Sequence, residues 1–549
     1  MKQRLRGAIV FSFLSGLIAA VFRWAVNPWF MDQPTTYAIF TLVPLLPLGW
    51  WVGPHLPQRF PIWQLALGSM GLFGMALIPP ITDALAPKLV LVGVDGATWT
   101  VADKVDLPNL EAVAKEGARG TLMATEPLLS SVLWTTIATG RRPQVHGIQG
   151  PIGRSDRVRS ARFWDIARDS GLSIGLYKWL VTWPLPSADM TGFVVPAWLA
   201  AEHQTHPEDL LSIQQLQSHI RGREAGAPPP ILVMRSIPKG LRWSTIWAGI
   251  RFYAMEGIAP LPDRKKHAFV RRLIARMDRD VFIASLHRYR PDVATFTIYV
   301  TEALSRSHWS RDGGQYVESA YRFADQIIGE IRAELQPDTP FMVLSEHGFR
   351  NSGEKAGEHA AFPKSEPLKE WMKISIGDLD IVRVGRNLVV TPDVPIDDAL
   401  FRETLSQLRV GEGDPLYDVE VFPNQSGWRL SLLNVPPEKE WPDHRVGSRP
   451  LSDWVQPGRS EAGEHDESGM VVLSGADLDT RDLGAVSQLD VMPTMMAILG
   501  LPVADDFPGQ SWVPEKTPRV SSYKHLVPSL DPESSGQGTG DIRDLGYLD

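Results

Sequence analysis

Three short strings in this chain carry acids and imidazoles where they could do chemistry: Val94-Asp95-Gly96, Ser305-Arg306-Ser307-His308 and Ser345-Glu346-His347-Gly348. Each lies at or shortly after the end of an apolar run. Carboxylates and imidazoles gathered at strand ends, facing one crevice, suit a hard or borderline divalent cation. Read singly, each string fits a satisfied core residue better than a ligand. A fourth string, Glu126–Ile148 (EPLLSSVLWTTIATGRRPQVHGI), places hydroxyls at the start of a helical stretch. A helix N-terminus offers partial positive charge and free N–H groups to a phosphate. A cation beside such a hydroxyl would lower its pKa and make it a nucleophile at neutral pH. The chain has no cysteine, which excludes thiol nucleophiles, disulfides and Cys-ligated zinc. Any metal must therefore be held by His, Asp, Glu or hydroxyl oxygen.

The elements that must position these residues are legible in outline. Lys88–Asp95 (KLVLVGVD) is a short continuous apolar run, which predicts a buried parallel strand. Leu172–Tyr177, Ala294–Val300, Phe341–Ser345 and Met470–Leu473 read as further strands. Leu107–Gly117, Tyr316–Leu335 and Val491–Leu499 read as helices. Strands alternating with helices predict an α/β domain whose mainly parallel sheet is flanked by helices. Ligands of such sheets bind at the carboxyl ends of the strands. Two insertions are expected, at about residues 198–290 and 349–463. The first contains a helix near His267–Arg288, with Val270, Leu273, Ile274, Met277 and Val281 on its apolar face. Arg271, Arg272, Arg276 and Arg279 lie on its basic side, which reads as a solvated helix surface. The second contains a small cap subdomain over Val382–Val435. These pieces make up a catalytic domain over residues 87–527, and residues 528–549 read as a flexible C-terminal tail.

Residues 1–86 have another character. From Gly7 to Thr82 charge is sparse, and three apolar stretches stand out: Gly7–Val26, Tyr37–Gly53 and Ile62–Ile81. Each is close to the roughly 20 residues that span a bilayer as a helix. Trp24, Trp29, Trp50, Trp51 and Trp63 lie near their ends, where interfacial aromatics belong. Lys2, Arg4 and Arg6 precede the first stretch and predict a cytoplasmic N-terminus. Three transmembrane helices would then put the catalytic domain on the extracytoplasmic, periplasmic side of the cell membrane. A cleaved signal peptide and a two-span arrangement are the alternatives. Net charge is −8, which gives no reason to expect a nucleic-acid polymer as partner.

The fourth string resembles the nucleophile region of the alkaline phosphatase superfamily, in its type I phosphodiesterase/nucleotide pyrophosphatase-like branch. Pro127, Leu129, Ser130, Trp134, Thr135, Thr139, Gly140, Pro143, His146, Gly147 and Ile148 fall in register with that pattern. Further matches follow in order: Leu107–Gly117, Thr182-Trp183-Pro184 with Gly192-Phe193, Gly463-Glu464-His465 with Gly469 and Gly475, Asp490–Pro502, and Leu545-Gly546-Tyr547. The resemblance runs from about Lys88 to the C-terminus and is thin in both insertions.

What the resemblance implies is an alkaline-phosphatase-like fold and a hydrolase of phosphate esters using a metal-activated serine. Counting places Ser130 at the nucleophile position, with Ser131 its neighbour. Two divalent ions are implied, zinc first and manganese as the alternative. One would be held by Asp95, Ser130, Glu346 and His347. The other would be held by His308, His465 and an acid four residues before His308. This chain departs from the family at two of these positions. Glu346 stands where the family has Asp. Leu304, which cannot bind metal, stands where the family has the acid before His308; Glu302, two residues upstream, is the nearest substitute. A sulfatase is discounted because Ser130-Ser131-Val132-Leu133-Trp134 lacks the Pro and Arg of that motif. A phosphotransferase acting on lipid head groups and a degenerate, non-catalytic binding protein of the same fold stand as alternatives.

Overall fold

The computed structural model describes residues 83–527, apart from 152, 186–190, 198, 201, 222–227, 259–260, 310–313, 354–358, 377–378, 385, 393–395, 412, 414, 423–426, 434 and 476–479. The three expected membrane spans and the C-terminal tail lie outside the described residues. Among the described residues, no helix is long and apolar enough to cross a membrane.

In chain order the strands are β1 (Leu89–Val94), β2 (Ala118–Met123), β3 (Ile174–Tyr177), β4 (Gly192–Val195), β5 (Val293–Ile298), β6 (Phe341–Ser345), β7 (Gly348–Asn351), β8 (His359–Pro363) and β9 (Leu379–Val384). They continue with β10 (Asn387–Pro392), β11 (Tyr417–Val421), β12 (Trp428–Leu432), β13 (Arg445–Val446), β14 (Arg449–Pro450), β15 (Val455–Arg459), β16 (Gly463–Asp466), β17 (Met470–Ser474) and β18 (Arg481–Ser487). The helices that matter here are α1 (Pro108–Glu116), α2 (Ser130–Thr139), α3 (Asp263–Tyr289), α4 (Val300–His308), α5 (Gln315–Arg332) and α6 (Val491–Leu499).

Eight strands form the central sheet in the order β18-β2-β17-β6-β1-β5-β3-β4. Only β17 runs against its neighbours, so the sheet is mainly parallel, as the alternation of elements predicts. Side chains alternate across a strand. In β1, Val90, Val92 and Val94 enter the core on one face, and Leu89 and Leu91 enter the core on the other. Both faces are therefore dry, which is why β1 and β6 are apolar at nearly every position. Helices α1, α3, α4 and α5 cover the first face, and α2 and α6 the second.

Helix α3 differs from its reading as a solvated surface helix. Leu273, Ile274, Met277 and Val281 are buried, but so is Arg279. Its guanidinium pairs with Asp280 at 2.6 Å and with Glu330 of α5. Asp280 also accepts from Arg242 N–H at 3.0 Å and Thr245 Oγ1 at 2.6 Å. The insertion's own helices thus pack on the charged side, and Arg279 is held there by compensating carboxylates.

The cap carries an antiparallel sheet in the order β11-β12-β10-β9, with a separate core around Leu388, Val390, Leu430, Phe401 and Trp428. The Phe401 and Trp428 rings stack at 3.7 Å. Below it, the short β7–β16 pair sets His465 opposite Phe349 and Asp466 opposite Gly348, next to the end of β6.

Helix α2 lies close against β1. A Cβ at Gly93 would sit 2.3 Å from the indole of Trp134, which is fully buried and meets Trp179 edge-on at 4.8 Å. Glycine in a strand interior marks such a close approach. Gly93→Ala should therefore destabilise the folded chain by about 1–3 kcal/mol, the range for overpacking a filled core. A lowered urea midpoint would show this. An unchanged midpoint would mean that the Trp134 ring can move aside.

Candidate active site

Five elements meet at the carboxyl ends of β1 and β6. Asp95 follows β1, and Glu346 and His347 follow β6. Ser130 is the first residue of α2, Glu302 and Arg306 lie on α4, and His465 lies on β16. Ser345 ties two of these loops together: its hydroxyl accepts from Ala97 N–H and donates to the His347 carbonyl, both at 2.7 Å. Gly96 turns the chain after Asp95 with φ of +72°. A Cβ there would lie 2.6 Å from Phe349 and 2.9 Å from Glu302 Oε2, so only glycine lets Glu302 reach the site.

The first cluster is Asp95, Glu346 and His347, all fully buried, with one ligand atom from each lying within 4.8 Å of the others. His347 Nε2 is 3.3 Å from Ser130 Oγ, 3.3 Å from Glu346 Oε1 and 3.8 Å from Asp95 Oδ1. Its Nδ1–H donates to the Gly348 carbonyl at 2.9 Å, which leaves the Nε2 lone pair facing Ser130 and the carboxyls. Burial pushes the His347 pKa down to about 3, so the ring is neutral. Asp95 Oδ2 accepts from the Trp134 indole at 3.2 Å. Among the described residues, no donor from outside this carboxyl pair reaches Asp95 Oδ1 or either oxygen of Glu346. Burial, then the nearby Glu302 carboxylate, pushes Asp95 up to about 7. Burial, then Asp95, pushes Glu346 well above the usual carboxyl range. Two buried carboxyls in this state either share a proton or neutralise a cation. An imidazole, two carboxyls and a hydroxyl on one small space could hold a divalent cation.

The second cluster is Glu302, His347 and His465. The His465 ring stacks on His347 with centroids 3.8 Å apart. Its Nδ1–H donates to the Leu128 carbonyl at 2.6 Å, and its Nε2 lies 3.3 Å from Glu302 Oε1. Between these groups sits the guanidinium of Arg306. Nε donates to Glu302 Oε1 at 3.0 Å and Nη2 donates to the same oxygen. Nη2 also lies 2.6 Å from His465 Nε2, and Nη1 donates to Glu461 Oε2 at 2.7 Å. Burial alone would raise the Glu302 pKa; Arg306 and then His465 outweigh it and hold the carboxyl well below the usual range.

Asp95, Ser130, Glu346, His347, His465 and Glu302 are therefore brought together. His308 is not: it belongs to neither cluster. It ends α4 with its ring stacked on His267 at 5.6 Å and tilted against Tyr316 at 4.8 Å. Leu304 is wholly buried in the core beneath α4. The cause is helical phase. At 3.6 residues per turn, positions 302 and 306 share a face, and 304 and 308 turn away from it. Ser131 is engaged elsewhere, donating to the Gly150 carbonyl at 2.8 Å. His146, inside the resembling string, is a latch: Nδ1 accepts from Ile148 N–H at 3.2 Å and Nε2 meets Thr136 Oγ1 at 3.0 Å.

Arg306 and Glu461 were not singled out by sequence. The signal was present in Glu302-Ala303-Leu304-Ser305-Arg306, an acid and a base spaced four apart on a helix. The cap adds what sequence reasoning missed altogether. A cavity of about 300 Å³ lies between Leu128, Arg306 and His465 below and Arg383, Arg386 and Arg429 above.

The raised carboxyls give metal binding a proton signature. Between its ordinary value, near 4, and about 7, Asp95 holds a proton in the folded metal-free chain that the unfolded chain has lost, and Glu346, pushed up by burial and by Asp95, acts in the same sense. Their contribution to stability is thus lost as pH rises through that window, and His347, whose pKa is lowered, acts in the opposite sense. Ligation needs ionised carboxyls and a neutral imidazole, so zinc binding near pH 6 should expel about one proton or more. Calorimetric titration in two buffers of different ionisation enthalpy measures this. Heats that do not depend on the buffer would contradict it.

Residues 89–404, more than half of the chain, match the type I phosphodiesterase / nucleotide pyrophosphatase family. The human ectonucleotide pyrophosphatase/phosphodiesterase family member 7 is 22% identical over 291 residues, 50% of this chain and 51% of that protein. The chain thus spans about half the length of this curated relative. The matched segment holds β1 with Asp95, the start of α2 with Ser130, α4 with Glu302 and Arg306, and the end of β6 with Glu346 and His347. On this extent of match, the chain belongs to the type I phosphodiesterase / nucleotide pyrophosphatase family.

Proposed function

We propose that this chain is a metal-dependent phosphoric ester hydrolase that uses Ser130 as its nucleophile and is anchored in the cell membrane by its N-terminal residues. One observation carries the proposal. Ser130 Oγ stands at the start of α2, 3.3 Å from a neutral imidazole, beside four buried carboxyl oxygens of Asp95, Glu346 and Glu302 that no donor outside the carboxyls reaches among the described residues. A binding protein without a cation would gain nothing from desolvated carboxyls, which are destabilising unless compensated.

In this reading the first-turn N–H groups of α2 and the helix dipole hold the phosphoryl oxygens. Ser130 Oγ attacks phosphorus in line, the ester oxygen departs, and water then releases the phosphoserine. Asp95, Glu346, His347 and Ser130 would hold the ion, zinc with manganese as the alternative. Bound there, it would lower the pKa of the Ser130 hydroxyl and screen charge at phosphorus. Arg383, Arg386 and Arg429 of the cap suit an anionic substrate. The name of the human relative, a nucleotide pyrophosphatase/phosphodiesterase, supports a phosphodiester before a monoester.

With the full chain in detergent and added zinc or manganese, Ser130→Ala should lower hydrolysis of bis-(p-nitrophenyl) phosphate by about a thousandfold or more. Its metal content should be close to that of the wild type. Wild-type turnover in the variant would remove Ser130 from the mechanism. A wild-type chain that binds metal but hydrolyses neither a diester nor a monoester would return the binding-protein reading.

The anchor rests on the three apolar stretches between Gly7 and Ile81 and on Lys2, Arg4 and Arg6 before them. It puts the active site on the periplasmic side. The expressed full chain should sediment with membranes, resist high-salt washing and be released by detergent. Recovery in the soluble fraction would dispose of the anchor.

A further inference from the structure

The family resemblance leads one to expect two ions, and the donors at the second position do not fit that expectation. We infer that the Arg306 guanidinium takes the place of the second ion, so that the chain holds one metal and one built-in cation. The inference rests on the proposed metal site at Asp95, Glu346 and His347.

Four observations support it. First, two of the atoms that would ligate a second ion already meet a cation: Arg306 Nε and Nη2 lie on Glu302 Oε1, and Nη2 is 2.6 Å from His465 Nε2, while Glu302 Oε2 has no hydrogen-bond partner among the described residues. Because His465 Nδ1 faces the Leu128 carbonyl, the ring presents its Nε2 lone pair to Arg306 rather than to solvent. Second, the guanidinium is fixed from its far side by Glu461, at 2.7 Å from Nη1. A charge held by two carboxylates and an imidazole is not a loose surface arginine. Third, no replacement ligand comes from α4 itself. Leu304 is sealed in the core, and His308 packs against His267 and Tyr316. Fourth, the geometry follows from local sequence. Glu302 and Arg306 are four apart on one helix, so the acid and the cation that neutralises it arrive together.

The consequence is chemical as well as numerical. Arginine stays protonated at every working pH, so the second positive charge is permanent and independent of metal supply. Its planar fork can also donate to phosphoryl oxygens, as a point ion cannot. The first site, by contrast, depends on a cation from solution.

Metal stoichiometry tests this apart from activity. The full chain in detergent is saturated with zinc, passed through gel filtration and measured by elemental analysis. One tightly held ion per chain is expected for the wild type, and two for Arg306→His, which sets an imidazole four residues after Glu302 and opposite His465. Should Arg306→His fail to fold, Arg306→Gln, which removes the charge at similar length, is measured in the same way and should also admit a second ion. Two ions in the wild type would overturn the inference, and so would one ion in both the wild type and the variant. No ion in either protein would sink the underlying metal-site reading, and this inference with it. Loss of the single wild-type ion in Asp95→Asn would show that the ion sits at the first cluster, whereas its retention would place it elsewhere and overturn the assignment.

Discussion

Carboxyl groups taken out of water must be compensated, and the arrangement around Ser130 follows from how this chain meets that demand twice. At Asp95 and Glu346 the compensation is left open, since among the described residues no donor from outside the pair reaches three of their oxygens and both groups hold protons more tightly than usual. At Glu302 it is supplied at one oxygen by Arg306, which holds the carboxyl in its ionised form. The two neighbouring sites are thus biased oppositely, Asp95 and Glu346 toward the protonated form and Glu302 toward the ionised one. Neutral His347 lies between the two clusters and belongs to both.

The scaffold serves this division. A parallel sheet with both faces covered releases its strand ends into a region that only loops and helix starts can fill. β1 delivers Asp95 and β6 delivers Glu346 and His347 side by side because the two strands are hydrogen-bonded neighbours. The close seat of α2 on Gly93 sets the height of Ser130 above them. Trp134 links the two, filling the space over Gly93 while its indole N–H braces Asp95.

Much of this is legible in the residues themselves. The apolar runs of β1 and β6 give parallel strands, and the acids and imidazoles after them mark the crevice. Ser130 was reachable by counting along its string. What was not legible is the phase of α4. Counting back from His308 leads to Leu304, because motif spacing in sequence says nothing about where the helix begins. Once α4 is known to start at Val300, the face bearing Glu302 and Arg306 is the one that meets His465, and the family spacing no longer identifies the partners. The cap arginines were hidden for another reason. They are dispersed over β9, the turn after it and β12, and only the folding of an insertion brings them over the site. The buried charges of α3 escaped notice likewise, since amphipathic periodicity cannot foresee a second layer of helices.

Glu126 has a part larger than its position suggests. One of its oxygens is gripped by Arg429 of the cap sheet, and the other accepts from Leu128 N–H at 3.0 Å, two residues before Ser130. A single side chain is therefore a strut between the roof of the cavity and the turn that leads into Ser130. The roof of the cavity and the start of α2 are therefore built as one piece rather than as a lid resting on a floor.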